Sequence, residues 1–230
     1  MKDLLVGLVV EALAAVDPER LVAEAIAEWQ PGHRLVVLSV GKAAVPMLEG
    51  VRSKLEVHEA VAVAPNSGGD QDCLEASHPI PDRSSEVAGR RVLEVARAAD
   101  DASVLVLLSG GASSLCEVPA DGVALEEIAE VSDRLLRCGA PIDLVNEVRS
   151  GLSAFKAGGL GGALVDAAEV RVLALSDVVG SAPETIGSGP TVARPFDPER
   201  TITLAERCGA DLPAGLAGRL RDAAAPVRAT

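Results

Sequence analysis

The chain has 230 residues, with 21 Lys+Arg against 34 Asp+Glu and a formal net charge of −13 at pH 7. That balance excludes a nucleic-acid binder and a protein held on anionic lipid by a basic surface. The longest apolar runs are strand-length, so no membrane span is expected. The apolar stretch after Met1-Lys2-Asp3 is soon interrupted by Glu11, with no small-residue cleavage site, so no signal peptide is expected either. Cys73, Cys116, Cys138 and Cys208 lack the two-residue spacing of a zinc or redox motif. They read as isolated core residues in a reducing, cytoplasmic setting. His33, His58 and His78 are too scattered for a metal cluster. A chain of this length buries about 70% of its unfolded surface. A single domain over 1–230 is therefore expected. Only four lysines occur, Lys2, Lys42, Lys54 and Lys156. An acid-rich, lysine-poor surface suits high salt, where its self-repulsion is screened.

In chain order, Leu4, Leu5, Leu8, Val9, Ala12 and Leu13 recur at helical spacing, and Asp17-Pro18 opens a second helix to about Trp29. Arg34 to Val40 is a continuous apolar run, as in a strand covered on both faces. Gly41-Lys42 turns the chain into a helix from about Ala43, because Pro46 fits only a first helical turn. Glu59 to Ala64 reads as a strand and Pro65 to Gly69 as a loop. Ser77-His78-Pro79-Ile80-Pro81-Asp82 is a stiff loop, after which Ser84 or Ser85 caps a helix to about Ala99. Ser103 to Leu108 is a third buried strand, ending in Ser109-Gly110-Gly111-Ala112-Ser113-Ser114. Helices follow near Leu125 to Arg137 and around Asn146 to Phe155. Val170 to Leu175 is a fourth buried strand, closed by Ser176-Asp177. Ile186 to Thr191 is a turn-rich loop, and two short helices lie between Asp197 and Ala225.

Buried strands alternating with helices predict an α/β fold: a mostly parallel sheet sandwiched by helices, Rossmann-like and three-layered. In such a sheet ligands bind at the carboxyl edge of the strands, beside a switch in strand order. Lys42, Ser109-Gly110-Gly111 and Asp177 each follow a predicted strand and so share that edge.

Four groups there carry candidate chemistry. Lys42 follows a small residue at a helix start, which suits phosphate or carboxylate, although the spacing of a Walker A loop is missing. Ser109, Gly110, Gly111 and Ser113 offer converging amides and hydroxyls to an oxyanion. No GxGxxG fingerprint is present. Asn146 and Arg149, three apart, share a helix face, and Arg149 suits bidentate binding of phosphate or carboxylate. Lys156 precedes Ala157-Gly158-Gly159, where the chain changes course. Asp177 is placed to orient a hydroxyl, accept its proton or bind magnesium through water. For His78 a structural hydrogen bond is the favoured reading, and Asp82 most simply caps the next turn.

Six segments in order resemble the glycerate 2-kinase family, also known as MOFRL-type glycerate kinases, in its amino-terminal domain. They are Val40-Gly41-Lys42-Ala43-Ala44, Ser77 to Asp82, Leu107 to Ser113, Asn146 to Ser153 with Lys156 to Gly159, Leu175 to Gly180, and Ile186 to Thr191. The resemblance implies magnesium- and ATP-dependent phosphorylation of D-glycerate at its 2-hydroxyl. It puts the family's lysine on Lys42, an anion-holding role on the Ser-Gly-Gly loop, and hydroxyl orientation or action through the metal on Asp177. Where the family has Gly-Gly-Gly-Ser, this chain reads Gly110-Gly111-Ala112-Ser113, and Asn-Thr-Val-Arg-Lys-His becomes Asn146-Glu147-Val148-Arg149-Ser150-Gly151. Family members carry a second, carboxyl-terminal domain that this sequence does not extend into. Catalysis is thus expected to need that domain, the chain being either truncated before it or completed by a separate chain, with a homodimer as another assembly. Two other readings stand beside the kinase: a non-catalytic anion- or nucleotide-binding module, and a sugar-phosphate-binding isomerase-like domain.

Overall fold

The structure, a computed structural model, describes residues 5–7, 11, 14–176, 182, 185–193, 196–210 and 212–223. Of the first expected helix, Leu4, Leu8, Val9, Ala12 and Leu13 lie outside the described residues. The next helix, α1 (Pro18–Ala25), starts where Pro18 pre-sets the first turn and the Asp17 carboxylate accepts from the Arg20 amide. It ends four residues before Trp29, the expected limit. Strand β1 (Leu35–Val40) is buried at every position, and α2 (Ala44–Arg52) follows with Pro46 in its first turn. Then come β2 (Glu59–Ala64), β3 (Cys73–Glu75), α3 (Arg83–Arg97) and β4 (Ser103–Ser109). The short α4 (Ala112–Leu115) occupies the serine-rich loop, followed by α5 (Leu125–Arg137), α6 (Ile142–Gly151) and α7 (Gly159–Ala163). Strand β5 (Glu169–Leu175), a 3-10 turn (Ile186–Ser188), α8 (Pro198–Arg207) and α9 (Ala214–Ala223) complete the described elements.

The five strands form one sheet in the order β3-β2-β1-β4-β5, and every pairing is parallel. One apolar cluster covers one face, with Val36, Leu38 and Val40 of β1 against Val92, Val95 and Ala96 of α3. The other face packs Val37 and Leu105 against Met47, Leu48 and Val51 of α2 and Val22 of α1. This is the three-layer α/β architecture expected. A third cluster stands apart from the sheet, joining Leu135, Val148, Ile202 and Leu220 of α5, α6, α8 and α9. No helix among the described residues is long and apolar enough to cross a membrane.

Several local expectations are corrected. β3 was not expected: its three residues are too few for a periodic signal, and its pairing with Ala62 to Ala64 of β2 defines it. Asp82, rather than Ser84 or Ser85, caps α3, accepting from the Ser84 and Ser85 amides. α6 begins four residues earlier than expected, at Ile142 after Pro141, and ends at Gly151, so Phe155 lies beyond it. β5 is not buried. Among the described residues it pairs only with β4, and Val170 and Val172 are each 41% exposed. An apolar run reports a preference for burial but cannot show whether a neighbour is present to cover it. Among the cysteines only Cys116 is buried, and Cys138 is exposed.

Candidate active site

The strand order reverses at β1. From there the chain goes to β2 and β3 on one side, and β4 and β5 lie on the other. The crevice outside the carboxyl ends of β1 and β4 is therefore the topological switch point, where open α/β sheets bind ligands. The register pairs Val40 with Leu108, so the turn after β1 and the turn after β4 leave the sheet side by side.

Backbone contacts lock these two turns together. The Lys42 amide donates to the Gly110 carbonyl at 2.9 Å, and the Ala43 amide donates to Ser109 Oγ at 3.1 Å. Ser109 is 2% exposed, so its oxygen joins the two turns. The close approach requires Gly41: its φ is +138°, and a Cβ there would sit 2.1 Å from Ser109 Oγ. Lys42 itself is exposed, and among the described residues its ammonium makes no ion pair. Gly111 lies beyond, with φ +91°, opening α4. The amides from Gly111 to Ser113 fall in the first turn, where no intrahelical acceptor exists. A Cβ on Gly111 would meet His78 Nε2 at 3.2 Å and Lys42 Cγ at 3.3 Å, so the histidine ring and the lysine stem face the same small space.

Beside this space lies a buried charge cluster. Glu117, fully buried, shares Oε2 between Lys156 Nζ, a close contact, and Arg149 Nη2 at 3.2 Å. The same Nη2 donates to the Ser113 carbonyl at 3.1 Å. Arg149 thus ties α6 to the serine-glycine loop while part of its guanidinium stays uncommitted. Ser113 Oγ meets Ser188 Oγ at 2.8 Å, bringing in the 3-10 turn. That turn also receives the Ala157 and Gly158 amides through the Ser188 and Gly189 carbonyls. Burial pushes the Lys156 ammonium down to about 8; the Arg149 charge adds to the shift and Glu117 opposes it. The side chain of Asn146, half-buried on α6, makes no hydrogen bond among the described residues.

Of the residues singled out from sequence, Lys42, Ser109, Gly110, Gly111 and Ser113 meet at the switch point, and Arg149 reaches it through Ser113. Lys156 stands behind them, sealed from solvent, as a partner of Glu117. Asp177 lies outside the described residues; the pairing of Ser109 with Leu175 sets the end of β5 beside the end of β4. Glu117 and Ser188 were not among the expected site residues. The signal for Glu117 was a lone acid inside the apolar run Leu115-Cys116-Glu117-Val118, since a buried carboxylate demands a partner. No group of three or more His, Cys, Asp or Glu among the described residues is placed to hold a metal ion.

The switch point of this parallel α/β sheet gathers cations, hydroxyls and glycine amides, groups whose chemistry suits an anion. More particularly, the chain belongs to the family described as Domain of unknown function (DUF4147), whose model matches residues 4–221. It is 35% identical over 223 residues to a glycerate 2-kinase of Pyrococcus horikoshii, covering 89% of this chain and 50% of that one. It is 37% identical over 217 residues to a D-glycerate 2-kinase of Thermotoga maritima, covering 91% and 52%. A crystal structure of glycerate kinase from Thermotoga maritima superposes with a TM-score of 0.87 at 33% identity, over 95% of this chain and 54% of that one. The chain spans about half the length of the relatives it matches.

Proposed function

We propose that this chain forms one wall of the active site of an ATP-dependent D-glycerate 2-kinase. The acceptor's 2-hydroxyl oxygen attacks the γ-phosphorus, and the bond from phosphorus to the bridging oxygen breaks to release ADP. Such transfers proceed mainly by positioning and charge neutralisation. The observation that carries this reading is the Lys42 ammonium, without an ion pair among the described residues, beside the serine-glycine loop at the switch point of the sheet. In an acidic chain, a free cation there supplies what the transferring phosphoryl group needs. The loop amides and Ser113 hold an anionic group of glycerate or nucleotide, with Arg149 and Asn146 at the far side. Lys156 acts from behind, through Glu117 and Arg149. Magnesium bound with the nucleotide would supply charge neutralisation to the phosphate oxygens. Among the described residues the donors at this edge are cationic groups, amides and hydroxyls, which suit phosphate oxygens; Asp177 is the sequence candidate for a metal-side carboxylate. The setting proposed is cytoplasmic.

A coupled ADP-release assay with D-glycerate tests the reading, run with and without a chain matching the other half of the relatives. Glycerate-dependent turnover that falls about 10²–10³-fold in Lys42→Ala is the expected result. Glycerate binding without turnover in either mixture identifies a binding module instead. Preference for sugar phosphates over glycerate points to an isomerase-like domain.

A further inference from the structure

The imidazole of His78 is a functional group that the fold itself does not use. Among the described residues neither ring nitrogen has a hydrogen-bond partner, against the structural hydrogen bond expected from sequence. His58 shows the contrast, because its Nδ1 accepts from the Leu35 amide at 3.3 Å and so ties down the start of β1. His78 is half-buried, and its ring edge faces the bare α-carbon of Gly111. Nε2 lies 3.2 Å, and Lys42 Cγ 3.3 Å, from the point a Gly111 side chain would occupy. A glycine there keeps open a space bounded by one cation and one free imidazole.

We infer that His78 accepts the proton of the acceptor hydroxyl during phosphoryl transfer, an inference that rests on the kinase reading above. As the hydroxyl oxygen bonds to the γ-phosphorus, its proton passes to Nε2 and the bridging oxygen leaves with ADP. The proton count then balances, with imidazolium formed as the alcohol is consumed. Burial and the facing Lys42 charge hold His78 below the ordinary imidazole value. The ring is therefore neutral at pH 7 and has a lone pair to offer. Among the described residues Lys42 is the charged group that faces it, and the arriving phosphoryl charge offsets the repulsion once the ring is protonated.

The test compares D-glycerate with 3-hydroxypropionate, which lacks the 2-hydroxyl, in titrations of the full chain and of its His78→Asn variant. Wild type is expected to prefer glycerate by about fivefold, the worth of one hydrogen bond, and the variant to lose that preference. On the wild-type protein, glycerate should move the His78 Nε2 nitrogen resonance and 3-hydroxypropionate should not, a measurement independent of how the variant folds. In the ADP assay the variant should lose about 10²-fold in kcat with KM within threefold, and lose the acidic limb of the pH profile. A preference for glycerate unchanged in His78→Asn, or an acidic limb that persists, overturns the assignment of His78 alone. No binding of glycerate to either protein overturns the kinase reading together with this one.

Discussion

At the scale of single residues, the site depends on atoms that are missing as much as on those present. Gly41→Ala would place a methyl group 2.1 Å from Ser109 Oγ on a backbone with φ +138°. It is expected to cost at least about 2–3 kcal/mol. Gly110→Ala, where nothing lies within 4 Å of the new Cβ, should change stability by no more than about 0.5 kcal/mol. Urea unfolding of the two variants checks the contrast. Glu117 is the other critical residue, as the anion between two buried or nearly buried cations. Glu117→Gln leaves both without a counter-charge and should destabilise by about 3–5 kcal/mol. Lys156 adds a pH dependence. Burial holds it at about 8, against 10.5 in the unfolded chain, so between those values the unfolded state binds the extra proton. Stability should therefore rise with pH across that window. Below it both states are protonated and the whole penalty, about 3 kcal/mol, is present. Lys156→Met should lose the slope in calorimetric melts.

At the scale of elements, caps and neighbours decide what the apolar pattern leaves open. α3 begins at Arg83 because Asp82 accepts from the Ser84 and Ser85 amides and Ser85 Oγ accepts from the Asp82 amide. Asp82→Ala should destabilise by about 1 kcal/mol, measured by denaturant unfolding. The Ser84 hydroxyl and the amides hold the Asp82 carboxyl below the usual carboxylate range. The cap's contribution is thus complete above the unfolded value and fades as pH falls through the folded one. Asp82→Asn keeps a cap without that dependence. β1, β2, β4 and α5 could be read directly from sequence, as continuous apolar runs or a strong amphipathic stripe. β3 could not, being three residues held by pairing alone. The exposure of β5 was equally hidden, because Val170 and Val172 carry the same local signal whether or not a neighbour covers them.

At the scale of the molecule, the net charge of −13 sets how the fold responds to salt. Raising ionic strength from 0.01 to 1 M shortens the Debye length from about 30 to about 3 Å. That screens the self-repulsion, and the melting temperature should rise by several degrees; a flat or falling curve in a salt series would show that attractive ion pairs dominate instead.

The sequence by itself determined the order of the elements, the α/β class and the loops that carry chemistry, because each is written in a local pattern of apolar spacing, glycine and proline. It also placed Lys42 and Ser109-Gly110-Gly111 after strands, which is enough to put them on one edge of a parallel sheet. Only the tertiary structure decided that β1 and β4 are neighbours, so that those two turns touch across the switch point. It alone paired Lys156 and Arg149 with Glu117 and left His78 facing Lys42 without a hydrogen-bond partner among the described residues. Those outcomes depend on contacts between residues far apart in the chain, 32 and 39 positions in the Glu117 pairs. Spacing along a chain holds no record of which distant groups burial will force together.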